Sequence, residues 1–150
     1  MYFAVVTLTT LVLPILSILL DDGALLPLIA KWFVFWGIGA RLLLAGIRQV
    51  ATPDFTARDI FALAEPGARV LVRELGAANI GMGMVGVASF AVPEWLGAAA
   101  LAGGLFMLAA GIEHVQQAAR TREETVAMVS DLWIAGIAAL SLFAVLTGRA

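Results

Sequence analysis

Arg41 is the side chain in this sequence with the clearest capacity for chemistry, because it lies within a long apolar stretch. If that stretch is a membrane-spanning helix, Arg41 lies roughly 14 Å along the axis from Trp32, near the middle of the bilayer. An arginine at that depth costs about 2.5–3.5 kcal/mol unless it meets a partner or water. Arg41 therefore either ties helices together or anchors a ligand in a polar cavity, and both interpretations stay open.

A second level of polar residues is expected nearer one end of the same helices. Arg48 follows Arg41 by two helical turns, so it shares the helix face of Arg41 and lies roughly 10 Å further along. Counting residues along the other helices in the same way places further polar residues at the depth of Arg48. Asn79 is expected between the depths of Arg41 and Arg48. The predicted ligand-binding residues are Arg41, Arg48, Gln49, Arg73, Glu74, Asn79 and Asp131. The structural alternative is that helix ends at a membrane interface carry charge in any case.

Glu113 and His114 are the candidates for proton transfer, since a histidine beside a carboxylate can carry a proton near neutral pH. The chain has one histidine and no cysteine, so we do not expect a metal site. Arg48 and Glu113 are expected to pair, because an unpaired charge at the inner end of a span is costly. Glu74 is the competing partner for Arg48.

The composition indicates an integral membrane protein. Of the 150 residues, 62% are hydrophobic and 13% are charged, whereas soluble domains have about 45–50% and about 25%. A disordered chain would need low hydrophobicity and high net charge. The formal net charge of −2 also argues against a nucleic-acid partner bound through a basic face.

Five apolar stretches are each long enough to cross a bilayer as a helix, which takes about 20 residues. The stretches are residues 2–20, 25–49, 75–92, 95–112 and 132–148. The predicted fold is therefore all-α, a bundle of five transmembrane helices forming a single domain over residues 1–150. Pro14 should bend the first helix without breaking it, because a neighbouring helix can take up the freed carbonyl.

The long connection 49–76 should contain a short interfacial helix. Thr56 and Asp59 have capping-box spacing, and Ile60, Phe61 and Leu63 would then lie on the membrane surface. Thr121 and Glu124 have the same spacing and would begin the fifth helix before the membrane.

The distribution of positive charge predicts a cytoplasmic N-terminus. In that orientation one side of the membrane holds Arg48, Arg58, Arg69, Arg73, Arg120 and Arg122, and the other holds Lys31 and Arg149. The predicted protein crosses the membrane several times, with its N-terminus on the cytoplasmic side. Tryptophans are expected at the membrane boundaries, where indoles prefer to lie: Trp32, Trp36, Trp95 and Trp133.

Gly81, Gly83 and Gly86 match the dinucleotide-binding spacing, but they lie within an uncharged membrane stretch with no preceding strand. Small residues in such a stretch let helix backbones approach closely. The packing glycines are therefore predicted to be these three together with Gly103, Gly104, Gly111 and Gly136. Glycine-rich faces of this kind can also bind a second copy or another membrane protein.

The last four spans resemble the DoxX-like layout of small four-helix membrane proteins. The resemblance rests on residues 44–47 and 53–55, on 73–76 with Gly81 and Gly86, and on 98–100 running to His114. Residues 31–36, Gly46, Gln49, 55–58 and 127–131 look like a bacterial membrane family of unknown function. The resemblance covers about residues 31–148 and implies a four-helix core with 2–20 as an additional helix. It also implies a link to membrane redox complexes and quinone or thiol chemistry, of which the lack of cysteine argues against the thiol form.

These observations favour a protein that binds a lipid- or quinone-like amphiphile in a polar intramembrane pocket open to the cytoplasmic side. Arg41 and Arg48 would hold an anionic or carbonyl head, and no other cofactor is implied. The alternative is an accessory subunit or scaffold of a membrane complex. A proton-coupled carrier is the third possibility, although inverted repeats are not visible.

Overall fold

The computed structural model describes residues 2–61, 63, 65, 67–117 and 121–149. Arg120, which entered the orientation argument, lies outside the described residues. The membrane-capable helices are α1 (Tyr2–Leu20), α2 (Leu25–Ala51), α4 (Ala68–Ala88), α5 (Leu96–Gln116, after a 3-10 turn Pro93–Trp95) and α6 (Arg122–Leu146); a short helix α3 is formed by Pro53–Phe55 and a π turn Thr56–Ile60.

The five-span prediction is confirmed, since the described residues contain five helices long and apolar enough to cross a membrane, and no strand. The end of the bundle where α1, α4 and α6 begin and where α2 and α5 end is called the inner end here. The opposite end, with the turns 21–24 and 89–95, is the outer end. The α6 helix begins at Arg122, as its predicted cap indicates, ten residues before the apolar stretch that starts at 132.

Glycines bring the backbones of α2 and α4 into direct contact. A Cβ added to Gly83 would lie 2.5 Å from the backbone nitrogen of Leu43, and one added to Gly86 would lie 2.6 Å from the Cα of Gly39. Further along, a Cβ on Gly46 would lie 2.5 Å from the carbonyl oxygen of Gly76. Only residues without a side chain allow this approach.

The packing prediction is thus confirmed for Gly83 and Gly86, and also for the glycines that face α2 or α6 from α5: Gly103, Gly104 and Gly111. It is wrong for Gly81 and Gly136, because a Cβ at either position would have nothing within 4 Å. Both glycines lie on outward faces of their helices, which a glycine spacing in the sequence does not distinguish from inward ones.

The first helix remains continuous through Pro14, as predicted. Pro14 has no N–H to donate to the carbonyl of Thr10 four residues earlier, and the indole Nε1 of Trp133 donates to that carbonyl at 3.1 Å. A π turn, Leu8–Val12, precedes the proline. Because α6 begins at Arg122, Trp133 lies near the middle of this helix and not at its start, and about half of its surface is exposed.

The outer end of α1 is tied to α2 by polar contacts. The Asp21 carboxylate accepts hydrogen bonds from Lys31 Nζ at 2.7 Å and from Trp32 Nε1 at 2.9 Å. These two hydrogen bonds, the one from Lys31 first, lower the pKa of Asp21 below its usual range. The indole of Trp36 donates to Ser17 Oγ at 3.0 Å.

The short helix α3 differs from its prediction. It begins at Pro53, and the Thr56 side chain caps no helix. Ile60 is buried, and Phe61 packs against Ala57, Ala68 and Val72, while Leu63 is exposed. Because Ile60 and Phe61 turn toward the bundle, α3 covers its inner end.

Candidate functional site

A cavity of about 480 Å³ lies in the inner half of the bundle. All the membrane-capable helices and α3 contribute to its wall, which is mostly apolar: Val6, Leu42, Ala45, Leu75, Phe106 and Ala110 are among the lining residues. Ligand sites typically have volumes of about 300–1,000 Å³ and apolar linings with a few placed polar groups. The polar groups here occupy two levels along the helix axes.

Arg41 and Asp131 form the deeper level. Arg41 Nη2 lies 2.6 Å from Asp131 Oδ1 and 2.8 Å from Ser130 Oγ, and Nη1 lies 3.6 Å from Met107 Sδ. Both charged side chains are about nine-tenths buried. Asp131 balances the charge that would make a lone Arg41 costly in an apolar interior. Arg41 therefore ties α2 to α6, which is the structural role considered for it.

Helix α2 positions Arg41 through a π turn, Val34–Ala40, that ends immediately before it. A π turn adds a residue to the helical turn and shifts the faces of the residues that follow; such turns are frequent at functional sites. Arg41 and Arg48 both follow the turn and both line the cavity, as their spacing predicts.

Asp131 lies at a different level from the one expected. The prediction placed it at the inner helix end because the apolar stretch begins at 132. Because the helix already begins at Arg122, as its cap predicts, Asp131 lies more than two turns inside α6 and opposite Arg41. The expectation that Asp131 shares the level of Arg48 is therefore wrong.

Gln49 and Asn79 form a buried amide pair at the second level. Asn79 Nδ2 donates to Gln49 Oε1 at 2.8 Å, which joins α2 to α4 beside the Gly46 and Gly76 contact. Asn79 is only 2% exposed, and its Oδ1 has no hydrogen-bond partner among the described residues. An acceptor left unpaired in an apolar interior costs free energy of about 1–3 kcal/mol.

His114 and Glu124 connect the inner ends of α5 and α6. His114 Nδ1 lies 3.1 Å from Glu124 Oε1, and both side chains are buried. The ring of Phe61 on the α3 side stacks on His114, with centroids 6.4 Å apart. Thr121 Oγ1 accepts a hydrogen bond from the Glu124 amide at 3.0 Å, so the predicted helix start is confirmed. The Glu124 carboxylate contacts His114 and is not directed back at the capping residue Thr121.

Arg48 and Phe55 form the edge of the cavity at the inner end. The Arg48 guanidinium carbon lies 3.5 Å from the centroid of the Phe55 ring, and that ring lies 5.7 Å from the Tyr2 ring. The predicted ion pair of Arg48 with Glu113 is wrong, and so is the competing pair with Glu74: within the described part of the chain neither glutamate reaches Arg48. Both glutamates are exposed at the inner helix ends, and the Arg48 guanidinium lies against the Phe55 ring instead.

The structure gathers most of the predicted site residues around one cavity and leaves two outside it. The cavity is lined by Arg41, Arg48, Gln49, Asn79, Glu113, His114 and Asp131. Arg73 and Glu74 are exposed on the outward face of α4 and do not line it. Arg73 and Glu74 lie at the expected depth along the helix axis. The depth of a residue does not determine the direction in which its side chain points around that axis.

Two residues that sequence reasoning missed belong to this site. Glu124 is 1% exposed, and it was assigned only a capping role because it precedes the apolar stretch. Tyr2 lines the cavity, and its ring lies 5.7 Å from the Phe55 ring. The available signals in the sequence were a tyrosine at the start of an apolar stretch and a glutamate three residues after a capping threonine.

Exposed residues of α1 and α2 form part of the cavity wall. Val5 on α1 and Leu44 on α2 line the cavity, and each is more than a third exposed. The wall of the cavity therefore reaches the apolar surface of the bundle at these two residues.

Comparison with known proteins places the whole chain in one family. No curated protein and no solved structure matches it. The family model described as "Family of unknown function (DUF6790)" matches residues 1–149. Since the match includes residues 2–20, the first helix is part of the family pattern and not an addition to it. The chain therefore belongs to the DUF6790 family.

Proposed function

We propose that this protein binds a membrane amphiphile, a lipid- or quinone-like molecule, in the cavity of the inner half. The observation that carries the proposal is the cavity itself, which combines an apolar wall that reaches the surface of the bundle at Val5 and Leu44 with Arg48 at its edge. A soluble metabolite has no need of a wall that reaches the apolar surface of the bundle. An amphiphile can leave its chains there while its head reaches the polar groups.

Arg48 is the cation that would hold the head. The positive charge of Arg41 is already balanced by Asp131, whereas within the described residues Arg48 has an aromatic ring for a neighbour and no carboxylate. An anionic or carbonyl oxygen that replaced water at Arg48 would gain a charge-assisted hydrogen bond. Arg41 would then affect the ligand only through the shape and polarity that the Arg41–Asp131 pair gives to the deeper part of the cavity. The proposed orientation has the N-terminus in the cytoplasm and the bundle in a bacterial inner membrane.

The test is native mass spectrometry and lipid extraction of the protein purified in mild detergent. Wild-type protein should carry an amphiphile, and Arg48→Gln should lose most of it. Arg149→Gln is the matched control, since Arg149 also lies over a phenylalanine ring but at the outer end. Equal occupancy of the wild type and both variants, or no bound amphiphile in the wild type, would refute the proposal.

A role as an accessory subunit or scaffold is the second candidate. The observation that favours it is the outward position of Gly81 and Gly136, which contact nothing within their own bundle. The DoxX-like resemblance of α2 and α4–α6 would place such a subunit beside a membrane redox complex. Crosslinking in native membranes tests this role, which predicts a defined partner or a second copy at these faces.

A further inference from the structure

The contact between Arg48 and Phe55 fixes the plane of the guanidinium group. The central guanidinium carbon lies 3.5 Å from the centroid of the Phe55 ring. This is ordinary contact distance between two flat groups, and a guanidinium standing on its edge would drive its nitrogens into the ring. The two planes are therefore roughly parallel, as in the stacking of arginine on aromatic faces. The ring covers one face of the guanidinium, and the N–H groups, which lie in the guanidinium plane, are left at its edges.

Phe55 is itself held in place, because the short helix α3 that carries it is fastened on two sides. The Asp54 carboxylate accepts a hydrogen bond from Arg69 Nε of α4 at 2.9 Å. Thr121 Oγ1, at the start of α6, donates to the carbonyl oxygen of Asp59 at 3.0 Å. The ring of Phe55 thus gives the flexible Arg48 side chain a fixed support. A guanidinium that is oriented before the ligand arrives loses less conformational freedom on binding.

The stacked pair forms part of the cavity wall. Arg48, Phe55 and Tyr2 all line the cavity, and the Tyr2 ring lies 5.7 Å from the Phe55 ring. Within the described residues Arg48 has no carboxylate partner, whereas Arg41 is paired with Asp131. An oriented and unpaired guanidinium offers two parallel N–H groups, which match the two oxygens of a carboxylate or a phosphate. The carbonyl oxygen of an ester or a quinone is neutral and can accept only as a single atom.

We infer that the ligand is an amphiphile with an oxyanion in its head, a carboxylate or a phosphate, whose oxygens accept hydrogen bonds from the guanidinium of Arg48, and that Phe55 is the positioning residue for this contact. The inference rests on the proposed amphiphile site. It narrows the ligand from lipid- or quinone-like molecules to anionic lipids. Two sources share the chemistry: the carboxylate of a fatty acid and the phosphate of a phospholipid.

The experiment compares matched ligands on the wild-type protein, by competition in a neutral detergent and native mass spectrometry. Oleate is compared with methyl oleate at alkaline pH, where the carboxyl group is ionised. Dioleoyl phosphatidylglycerol is compared with dioleoylglycerol, which has the same chains and no phosphate. We expect the anionic member to bind about tenfold more tightly, the size of effect typical of a hydrogen bond to a charged group. A preference in one pair alone identifies its head as the source, and a preference in both shows that the site takes either oxyanion.

Variants then separate the charge of Arg48 from its positioning by Phe55. Arg48→Gln should abolish the preference for the anion. Phe55→Leu should reduce the preference about threefold, the loss expected when a partly exposed cation–π contact is removed, and Phe55→Trp should retain it. A general loss of packing would weaken both members of a pair alike and leave their ratio unchanged. Phe143→Leu is the matched control, because it removes the ring near Arg149 at the outer end, and it should not change the ratio.

Equal binding within both pairs would overturn the oxyanion inference and leave the amphiphile site standing. Tighter binding of a short-chain ubiquinone than of either anion would overturn it as well. An unchanged ratio in Phe55→Leu, or in Phe55→Met if the leucine variant does not fold, would overturn the positioning role of Phe55. The comparison on the wild-type protein needs no variant. Absence of binding by all the probes would instead refute the amphiphile site itself.

Discussion

Polar side chains have different roles in the outer and inner halves of the bundle. In the outer half each polar side chain described above is used to fasten helices: Asp21 holds Lys31 and Trp32, and Ser17 accepts from Trp36. In the inner half polar groups surround a cavity, and one buried amide oxygen has no protein partner in the described residues.

This difference indicates which half of the bundle mainly supports stability and which half mainly supports ligand binding. In the outer half, close backbone contact at Gly83 and Gly86 and paired polar groups hold the helices together. The inner half instead contains the cavity, whose wall reaches the surface of the bundle at Val5 and Leu44. Substitutions in the two halves should therefore separate stability from ligand binding, apart from the Arg41 and Asp131 pair, which serves both.

The largest effect is expected from Asp131→Leu, which leaves the buried guanidinium of Arg41 without its carboxylate. Breaking one partner of a buried pair costs about 3–5 kcal/mol of unfolding free energy. The double variant Arg41→Met with Asp131→Leu should recover much of this loss, because no charge remains buried. Thermal unfolding in detergent measures both variants. A single variant as stable as the wild type would show that the pair does not support the fold.

A somewhat smaller effect is expected from Gly83→Ala. The new Cβ would lie 2.5 Å from the backbone nitrogen of Leu43, so α2 and α4 must separate. Overpacking of this kind typically costs about 1–3 kcal/mol. Gly81→Ala on the same helix is the control: its Cβ meets nothing within 4 Å, and alanine favours a helix over glycine. Equal Tm values for the two variants would contradict the account of this contact.

The sequence predicted the number of helices well, because an apolar stretch of membrane length has few alternatives. It predicted the level of Asp131 poorly. The polar residues between the Thr121 cap and residue 132 belong to the same helix, so Asp131 lies well inside it and not at its end. It could not reveal that Arg48 turns to Phe55, or that Arg73 and Glu74 face outward. Rotation around a helix depends on neighbouring helices and on π turns, which leave no distinct pattern in the residues. The small-residue contacts were foreseen at Gly83 and Gly86, whereas Gly39, Gly46 and Gly76 were missed.

Trp133→Phe should have a moderate effect. It removes the donor to the Thr10 carbonyl that Pro14 leaves free, with a loss of about 1 kcal/mol. In a Pro14→Ala background the new backbone N–H can take up that carbonyl, so the same substitution should cost less. Thermal unfolding of the four proteins forms a double-mutant cycle. A strictly additive cycle would show that the indole and the proline are independent.

The smallest effect is expected from Asp21→Asn at the partly exposed outer turn, with a Tm change of about 1 °C or less at neutral pH. Because the pKa of Asp21 is lowered in the folded protein, its contribution is present above the ordinary aspartate range and is lost as the pH falls through the lowered value. The gap in Tm between the wild type and the variant should therefore shrink as the pH falls from the ordinary pKa of aspartate to the lowered pKa of Asp21, and close below it. A gap that widens on acidification would contradict this assignment.

The central claim, that the inner cavity is a ligand site, is tested most directly by filling it. Ala45 lines the cavity, so Ala45→Phe should occupy its volume; Ala102→Phe, at an exposed position of α5 outside the cavity, is the matched control. The measurement is the rise in Tm when phosphatidylglycerol is added to protein in detergent, because a ligand that binds only the folded state stabilises it. We predict a rise for the wild type and Ala102→Phe and none for a folded Ala45→Phe. An equal rise in all three proteins would contradict the account.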